Sequence, residues 1–138
     1  MNVTRQSTIL INNEWDIIIA RQQGRRLANK IGFSIVDQAR ITTVISELAR
    51  NIYLYTSGGE IILYKATRAN RQKGLQIKAI DHGPGIDDIQ LVLQDGFSTT
   101  NSLGAGLPGV KRMVDEFDMR SSKEKGTVIH VCKWLTNE

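Results

Sequence analysis

Two long segments in the first half of the chain place apolar side chains at the three- and four-residue spacing of a helix. The first runs from Trp15 to Ile31, and Gly32 stands where a C-terminal glycine would end it. The second is predicted to begin at Ser34, with Asp37 three residues on as a capping partner. Its broad apolar face consists of Ile41, Val44, Ile45, Leu48, Ala49, Ile52 and Tyr55. The sequence SGGE predicts its end.

Shorter apolar runs predict five strands. One, STILIN, precedes the first helix. Two more, EIILYKATR and GLQIKAID, are expected to form an antiparallel pair joined by a basic loop. The last two lie in MRSSKEKGTVIHVCKWL, on either side of a turn at Lys125 and Gly126.

Between the third and fourth strands the pattern predicts a short helix or turn from Asp87 to Leu93, a glycine-rich loop, and a third main helix from Gly109 to Phe117. The order is therefore strand, two helices, two strands, glycine loop, helix, two strands. This order predicts an α/β fold, a two-layer α/β sandwich in which three helices cover one face of a mixed, mostly antiparallel sheet. At 138 residues the chain is expected to be one domain spanning residues 1–138.

Composition narrows the class of protein. The chain is 41% hydrophobic and 23% charged, which is typical of globular proteins, and it has no unbroken apolar run of the roughly 18 residues that a membrane span needs. The N-terminus shows no signal-peptide pattern, so we expect a cytoplasmic protein without a membrane partner. The single cysteine, Cys132, excludes an internal disulfide framework and is expected to be inert packing, and two histidines do not form a zinc cluster.

The basic residues are scattered. The net charge is +4, and the Lys and Arg residues lack the interleaved aromatic residues that single-strand binders use, so nucleic acid is not an expected partner. The densest basic segment, KATRANRQKG at residues 65–74, joins two predicted strands. It is interpreted as either a solvated hairpin loop or a surface for an acidic partner.

Glu47 and Asn51 lie on the second predicted helix, four residues apart. Because four residues rotate a helix by about 400°, the two side chains lie one turn apart on the same face. A carboxylate and a neutral oxygen donor suit a general base beside a Mg²⁺ ligand, since magnesium prefers oxygen and is held by few protein groups together with phosphates. A solvated helix face contains such pairs too, so the spacing alone leaves both interpretations open.

The pentapeptide DHGPG, residues 81–85, ends the third predicted strand. Asp81, followed by Gly83 and Gly85, could direct its carboxylate into a pocket whose floor is backbone and there accept a hydrogen bond from the exocyclic amine of adenine. A plain Asp-Gly-Pro turn is the structural alternative.

The hexapeptide GAGLPG, residues 104–109, matches G-x-G-x-x-G, but no strand precedes it, so it does not predict a dinucleotide fold. It is not a P-loop either, because Gly109 is followed by Val110 and not by lysine. It does retain a glycine-rich turn leading into a helix N-terminus, where free amides and the helix dipole favour an anion such as phosphate. A flexible loop before a helix is the alternative.

The order of these three motifs is more specific than any one of them. A helix with E-x-x-x-N, a strand ending in D-x-G-x-G, a glycine loop before a helix, and Gly126-Thr127 opening the last strand resemble the GHKL ATPase and kinase superfamily, which has the Bergerat fold. Within it, DQARITTVISELARNIYLY, GPGI, DGFSTTNSLGAGLPGVKRMVDEF and KWL are similar to the RsbT family of serine/threonine switch kinases of the bacterial stressosome. The resemblance extends from about Trp15 to Leu135.

This resemblance implies a role for each motif residue. Glu47 would be the catalytic base, and Asn51 would be both the magnesium ligand and a nucleotide contact. Asp81 would read adenine, with Thr127 near it. The adenine pocket would be shaped by Gly83 and Gly85.

The same resemblance assigns the glycine loop to ATP and its phosphates. The phosphate-binding lid and turn would consist of Gly104, Ala105, Gly106, Leu107 and Gly109. Lys111 and Arg112 follow in the next turn and remain open between contact with the triphosphate and a solvated helix surface. The implied cofactors are ATP and Mg²⁺.

The function implied by the resemblance is that of a kinase acting on Ser or Thr of STAS-domain scaffold and antagonist proteins. Released from such a scaffold, it would bind and activate a metal-dependent protein phosphatase. An anti-sigma factor kinase of the same fold is the main alternative. A nucleotide-gated binding module is a second, although binding ATP does not need a base such as Glu47, and a histidine kinase catalytic domain is a third.

Overall fold

The computed structural model describes residues 1–56, 58–83, 106–122 and 126–136 of the chain. The regular elements are β1 Asn2–Ile11, α1 Glu14–Ile31, α2 Ile35–Tyr55, β2 Gly59–Thr67, β3 Lys73–Asp81, α3 Gly106–Met113, β4 Glu116–Ser122 and β5 Gly126–Trp134. Several predictions concern parts of the chain outside this description: the short helix at 87–93, the turn residue Lys125, the side chain of Tyr55, and Gly85, Gly104 and Ala105.

The strands form one sheet in the order β1-β2-β3-β5-β4, and each of its four pairings is antiparallel. With helices packed on it, the sheet confirms the predicted two-layer α/β sandwich. The register aligns one row of residues across the sheet, in which Ile11 faces Gly59, Gly59 faces Asp81, and Asp81 faces Thr127. Strand β1 is an edge strand, and its register with β2 shifts between Arg5 and Ser7.

Helix α1 begins at a capping box and ends at the predicted glycine, Gly32. The Asn13 side chain accepts a hydrogen bond from the backbone N–H of Asp16 at 3.2 Å, and the Asp16 carboxylate accepts one from the N–H of Asn13 at 3.1 Å. This reciprocal pair satisfies amides that the first helical turn leaves without partners. At the other end Gly32 has a left-handed backbone with φ 116°, and its N–H donates to the Ala28 carbonyl. A side chain at that φ would be strained, so glycine ends the helix.

The core lies between the helices and the sheet. α1 and α2 pack against each other and on the strands, and the largest fully buried side chains are Ile11, Ile41, Ile45, Leu48, Ile61, Leu63, Leu75, Ile77, Val44, Val110 and Val131. Gly24 of α1 is also buried, and a Cβ atom there would overlap Cδ1 of Ile45. The two helices can therefore approach closely because residue 24 has no side chain.

The third helix differs from its prediction. It spans Gly106–Met113, whereas the sequence pattern placed it from Gly109 to Phe117, and Phe117 instead faces Val131 in strand β4. Tertiary contacts decide this boundary. The N–H of Asp115 donates to the Cys132 carbonyl at 2.9 Å, and the Asp115 carboxylate accepts from the Trp134 N–H at 2.6 Å. These bonds draw the chain to the sheet edge and override a local pattern compatible with a longer helix.

The sheet face away from the helices carries a small buried cluster of Ala66, Cys132 and Trp134. The Arg68 guanidinium stacks over the Trp134 ring at 4.1 Å and lies 3.9 Å from the Glu116 carboxylate. Part of the basic segment at residues 65–74 therefore packs on the protein itself. Burial, with a smaller contribution from the Glu116 charge, raises the pKa of the Cys132 thiol to about 12, so the thiol stays neutral, as inert packing requires. None of the described helices is long and apolar enough to cross a membrane.

Candidate functional site

Glu47 is a charged residue buried within α2. Its side chain is 3% exposed, and Oε1 lies 3.5 Å from Nη1 of Arg50, which is one turn further along the same helix. Burying a carboxylate is costly unless it is paired, and the guanidinium supplies a cation for it. Asn51 lies four residues after Glu47 on the same helix and is half-buried. The predicted pair is therefore not a solvated helix face, since one member is enclosed in the protein.

Asp81 is the last residue of β3 and lies between β2 and β5. Its Oδ1 accepts a hydrogen bond from the Gly83 N–H at 3.0 Å, which forms a local Asx turn and orients the carboxylate. A Cβ at Gly83 would lie 2.8 Å from Cγ2 of Thr56. Because Thr56 caps the C-terminal end of α2 through its N–H to the Ile52 carbonyl, the absence of a side chain at Gly83 lets the end of β3 pack against the helix that carries Glu47.

Two glycines lie close to Asp81 on the neighbouring strands: Gly59 faces it on β2, and Gly126 precedes Thr127, which faces it on β5. A Cβ at Gly59 would overlap the Ile80 carbonyl, and one at Gly126 would overlap the Asp81 carbonyl. Gly126 also has a positive φ of 84°, which side chains rarely adopt. The sequence pattern predicted a helix end at Gly59 and a turn at Gly126, and the family resemblance placed Gly126 at the opening of the last strand. Their role in bringing neighbouring backbones close to Asp81 depends on strand pairing, which the local sequence does not reveal.

Thr127 lies directly across from Asp81 on β5 and is 4% exposed. Residues that face each other across paired strands project from the same side of a sheet, so Asp81 and Thr127 share a face. It is the helix-covered face, because Ala79 and Ile129, two residues along each strand, belong to the main core. The Thr127 hydroxyl lies 2.8 Å from the Ser121 hydroxyl of β4. Ser121, like Arg50, is a neighbour of the site that the sequence did not indicate.

Helix α3 is the described part of the predicted phosphate-binding segment. It opens at Gly106, whose φ is 69°, and it packs against α2. Leu107 and Gly109 are buried in this packing, whereas Lys111 and Arg112 are exposed. Glu47 and Asn51 thus lie on α2, and Asp81, Gly83 and Thr127 lie at the strand ends beside it. Helix α3, which follows the glycine loop, packs against the same α2.

Magnesium is the metal that the family resemblance implies at Asn51. In the described ranges there is no group of three or more His, Cys, Asp or Glu side chains that could hold a metal by themselves. An Asn51 carboxamide oxygen near a buried carboxylate nevertheless fits Mg²⁺, because this ion keeps several waters and takes further ligands from phosphates. Within the described ranges, Asn51 therefore fits a metal that arrives with a nucleotide.

Comparison with known proteins places this geometry in a family. Residues 36–137 match the family described as histidine kinase-, DNA gyrase B-, and HSP90-like ATPase. The chain is 57% identical over 130 residues to the serine/threonine-protein kinase RsbT of Bacillus subtilis, which covers 94% of this chain and 97% of the relative. It is 29% identical over 124 residues to an anti-sigma F factor of a Thermoanaerobacter species, covering 86% of this chain and 85% of that protein.

Solved structures show the same fold. A structure of RsbU and RsbW domains from Mycobacterium tuberculosis superposes on all of this chain with a TM-score of 0.62 and 16% identity, and the match covers 34% of that protein. A mycobacterial sensor histidine kinase gives a TM-score of 0.50 at 16% identity, with 96% of each chain covered. At these identities the likeness establishes the fold alone.

Proposed function

This chain belongs to the family of histidine kinase-, DNA gyrase B- and HSP90-like ATPases, and within it to the RsbT-related serine/threonine-protein kinases, and we propose that it uses Mg-ATP to phosphorylate STAS-domain scaffold and antagonist proteins of a stressosome. When released from that scaffold, it binds and activates a metal-dependent protein phosphatase. The kinase activity follows from the family. The substrates, the phosphatase and the residue roles below are the proposal.

The observation that carries the proposal is the buried carboxylate of Glu47. Its side chain is 3% exposed on a helix whose end packs against the strand that carries Asp81. A buried charge stabilises a fold little by itself, because desolvation offsets its pairing energy. An enclosed carboxylate near a nucleotide site is what proton transfer from a bound hydroxyl requires.

Asp81 is assigned to the adenine base. Its Oδ1 is engaged by the Gly83 N–H, which leaves the carboxylate oriented so that its other oxygen can accept from an exocyclic amine. Thr127, across from it, lies on the same face and lines the adenine pocket, which Gly83 and Gly85 complete. The phosphates are assigned to Gly104, Ala105, Gly106, Leu107 and Gly109, where backbone amides lead into the N-terminus of α3.

The transfer step moves a phosphoryl group between two oxygens. The hydroxyl oxygen of the substrate Ser or Thr forms a bond to the γ-phosphorus as the bond from that phosphorus to the β–γ bridging oxygen breaks, and ADP leaves. Glu47 accepts the hydroxyl proton. Asn51 would hold Mg²⁺, which supplies neutralisation of phosphate charge when it is bound. Nη1 of Arg50, at 3.5 Å from Oε1 of Glu47, pairs with this carboxylate.

The test is phosphate transfer from labelled ATP and Mg²⁺ to a STAS-domain protein of the same organism. Glu47→Gln keeps the side-chain shape but cannot accept the proton, so transfer should fall by about 10² to 10⁴ while ATP affinity is retained. Glu60→Gln, at a glutamate of β2, is the matched control and should transfer normally. Unchanged transfer by Glu47→Gln would remove it from the role of base.

An anti-sigma factor kinase is the second candidate, favoured by the 29% identity to an anti-sigma F factor over 86% of this chain. A sigma-factor pull-down run beside the transfer assay separates the two. Capture of a sigma factor in the presence of ATP would move the protein to that function. Tight ATP binding, without transfer to the STAS-domain protein and without capture of a sigma factor, would indicate a nucleotide-gated binding module.

A further inference from the structure

Lys133 is a mostly buried cation on the last strand, β5. Its side chain is 14% exposed. It lies on the helix-covered face of the sheet, because Val131, two residues earlier on the same strand, belongs to the main core. Removing an ammonium group from water is costly unless other partners replace the water. The contacts of Lys133 therefore show what its burial achieves.

The ammonium group of Lys133 contacts two helices. Its Nζ donates a hydrogen bond to the Met113 carbonyl at 3.0 Å and lies 3.8 Å from Oδ1 of Asp37. Met113 is the last residue of α3, where carbonyls lack a donor within the helix and the helix dipole favours a cation. Asp37 is in the first turn of α2, where the dipole favours an anion. Lys133 thus links the end of α3 to the beginning of α2.

The chain directly after α3 is attached to the two neighbours of Lys133. The Asp115 N–H donates to the Cys132 carbonyl, and the Asp115 carboxylate accepts from the Trp134 N–H. Three successive residues of β5 therefore hold the chain from Met113 to Asp115. Since β5 is paired with β3 on one side and with β4 on the other, the C-terminal end of α3 is held at a fixed point of the sheet.

The opposite end of α3 is the end to which the phosphates are assigned. The helix has eight residues, so Gly106 lies about 10 Å from Met113 along its axis. Because a short helix moves as a stiff rod, a tilt of about 5° at Met113 would displace Gly106 by about 1 Å. A displacement of that size far from the chemistry can cost an enzyme about 10² in rate. The bond at Met113 therefore affects how the amides near Gly106 meet an anion.

Apolar packing also holds α3 in place. Leu107 and Val110 are buried, and both belong to the main core. Hydrophobic contact has no preferred direction, however, so it sets how closely α3 approaches the core and resists small rotations of the helix only weakly. A hydrogen bond depends steeply on distance and angle. Lys133 therefore adds the directional restraint that packing does not provide.

We propose that Lys133 is a positioning residue for phosphate binding. It fixes α3 against α2 through Met113 and Asp37, and it thereby places the N-terminal amides of α3 where they bind the triphosphate of ATP. The inference rests on the proposed function for the assignment of the phosphates to the start of α3. Its consequence is that the loss of Lys133 weakens the hold on the phosphates and leaves the hold on the adenine base unchanged.

The test compares the affinities for ATP, measured by calorimetry, and for adenosine, measured by NMR titration. Lys133→Met keeps most of the apolar stem but removes the charge and the donor, so ATP affinity should fall about tenfold. Adenosine affinity should not change, because adenosine has no phosphates. A merely structural role would lower both affinities by the same factor or leave both unchanged. Lys30→Met is the matched control, since Lys30 is an exposed lysine in the last turn of α1, and it should bind both ligands normally.

Asp37→Asn is a second variant, chosen because this carboxylate is 23% exposed and its loss is unlike the loss of a core group. It removes the α2 partner and leaves the bond to Met113, so ATP affinity should fall about threefold with adenosine affinity unchanged. Combined with Lys133→Met it should cause no further loss, whereas a fully additive loss would contradict the link between the two helices.

Two results would overturn the inference: unchanged ATP affinity in both variants, or equal losses for ATP and adenosine. If Lys133→Met does not fold, Asp37→Asn decides by itself, and unchanged ATP affinity there would overturn the inference. In each of these cases the wild type still binds ATP and transfers phosphate, so the proposed function stands. A wild type that binds no ATP would contradict the proposed function itself.

Discussion

The two long helices each place one side chain where its type is rarely found: α2 buries a charged residue, and α1 exposes a large apolar one. Helix α2 buries a carboxylate, with Glu47 3% exposed, whereas α1 leaves a tryptophan 73% exposed. Fully buried glutamates and contiguous exposed apolar groups are both uncommon, and neither stabilises an isolated domain. Since α1 and α2 otherwise share one core, the buried carboxylate sets α2 apart and agrees with the proposal that this helix carries the catalytic base.

The strongest way to test this comparison of the helices is at the nucleotide. Asp81→Asn keeps an oxygen that accepts from the Gly83 N–H but replaces the other oxygen with an amide NH2 group, which donates and cannot accept a hydrogen bond from adenine. ATP affinity should fall by about 10- to 100-fold, the effect of losing one hydrogen bond to a charged group. Calorimetry measures this directly, with Trp15→Ala as the α1 counterpart that should bind ATP normally. Normal binding by Asp81→Asn would end the adenine assignment.

A smaller effect is expected where the helices touch. Gly24→Val should destabilise the protein by about 1–3 kcal/mol, because its side chain would overlap Ile45, which is fully buried and can yield only by repacking. Chemical denaturation measures the free energy of unfolding. Ala20→Gly is a useful comparison, since Ala20 is buried in the same helix and its loss costs helix propensity without crowding. An unchanged stability in Gly24→Val would show that the helices have room to separate.

The smallest expected effect concerns Cys132, which lies on the sheet face that neither helix covers. Because the pKa of Cys132 is raised to about 12, iodoacetamide at pH 8 should label it only when the protein unfolds. The folded state holds the thiol proton more tightly than the unfolded state does. This contribution to the free energy of unfolding is therefore complete below the unfolded pKa of 9.0 and is lost as the pH rises towards 12. Functional variants of α1 and α2 should label as slowly as the wild type. Rapid labelling of the folded wild type would contradict this.

Local patterns predicted most helices and strands, because the spacing of apolar residues that marks each type is set by residues close together in the sequence. The N-cap at Ser34 and the stop at Gly32 were visible for the same reason. The boundary after Met113 was not, since it depends on bonds from Asp115 to residues of β5. The first half of β1 was missed too, because its residues are mostly exposed on an edge strand and lack an apolar pattern.

The candidate site was likewise predicted only in part from the sequence. The spacing of Glu47 and Asn51 identified a pair on one helix face, and the sequence placed Asp81 at a strand end. The burial of Glu47 was not predictable, because it depends on what packs over the helix. The sequence also did not predict that Asp81 and Thr127 face each other across β3 and β5, because this pairing depends on the register between segments distant in sequence.

The irregularity between Arg5 and Ser7 affects how this protein behaves in a crowded solution. Strand β1 is ten residues long and open on one side, so a straight β1 could pair with another chain and seed aggregation. The register shift interrupts the row of backbone donors and acceptors and twists the strand at its middle. The edge thus offers two short segments in place of one long template, which protects the sheet while leaving α1 beside it accessible.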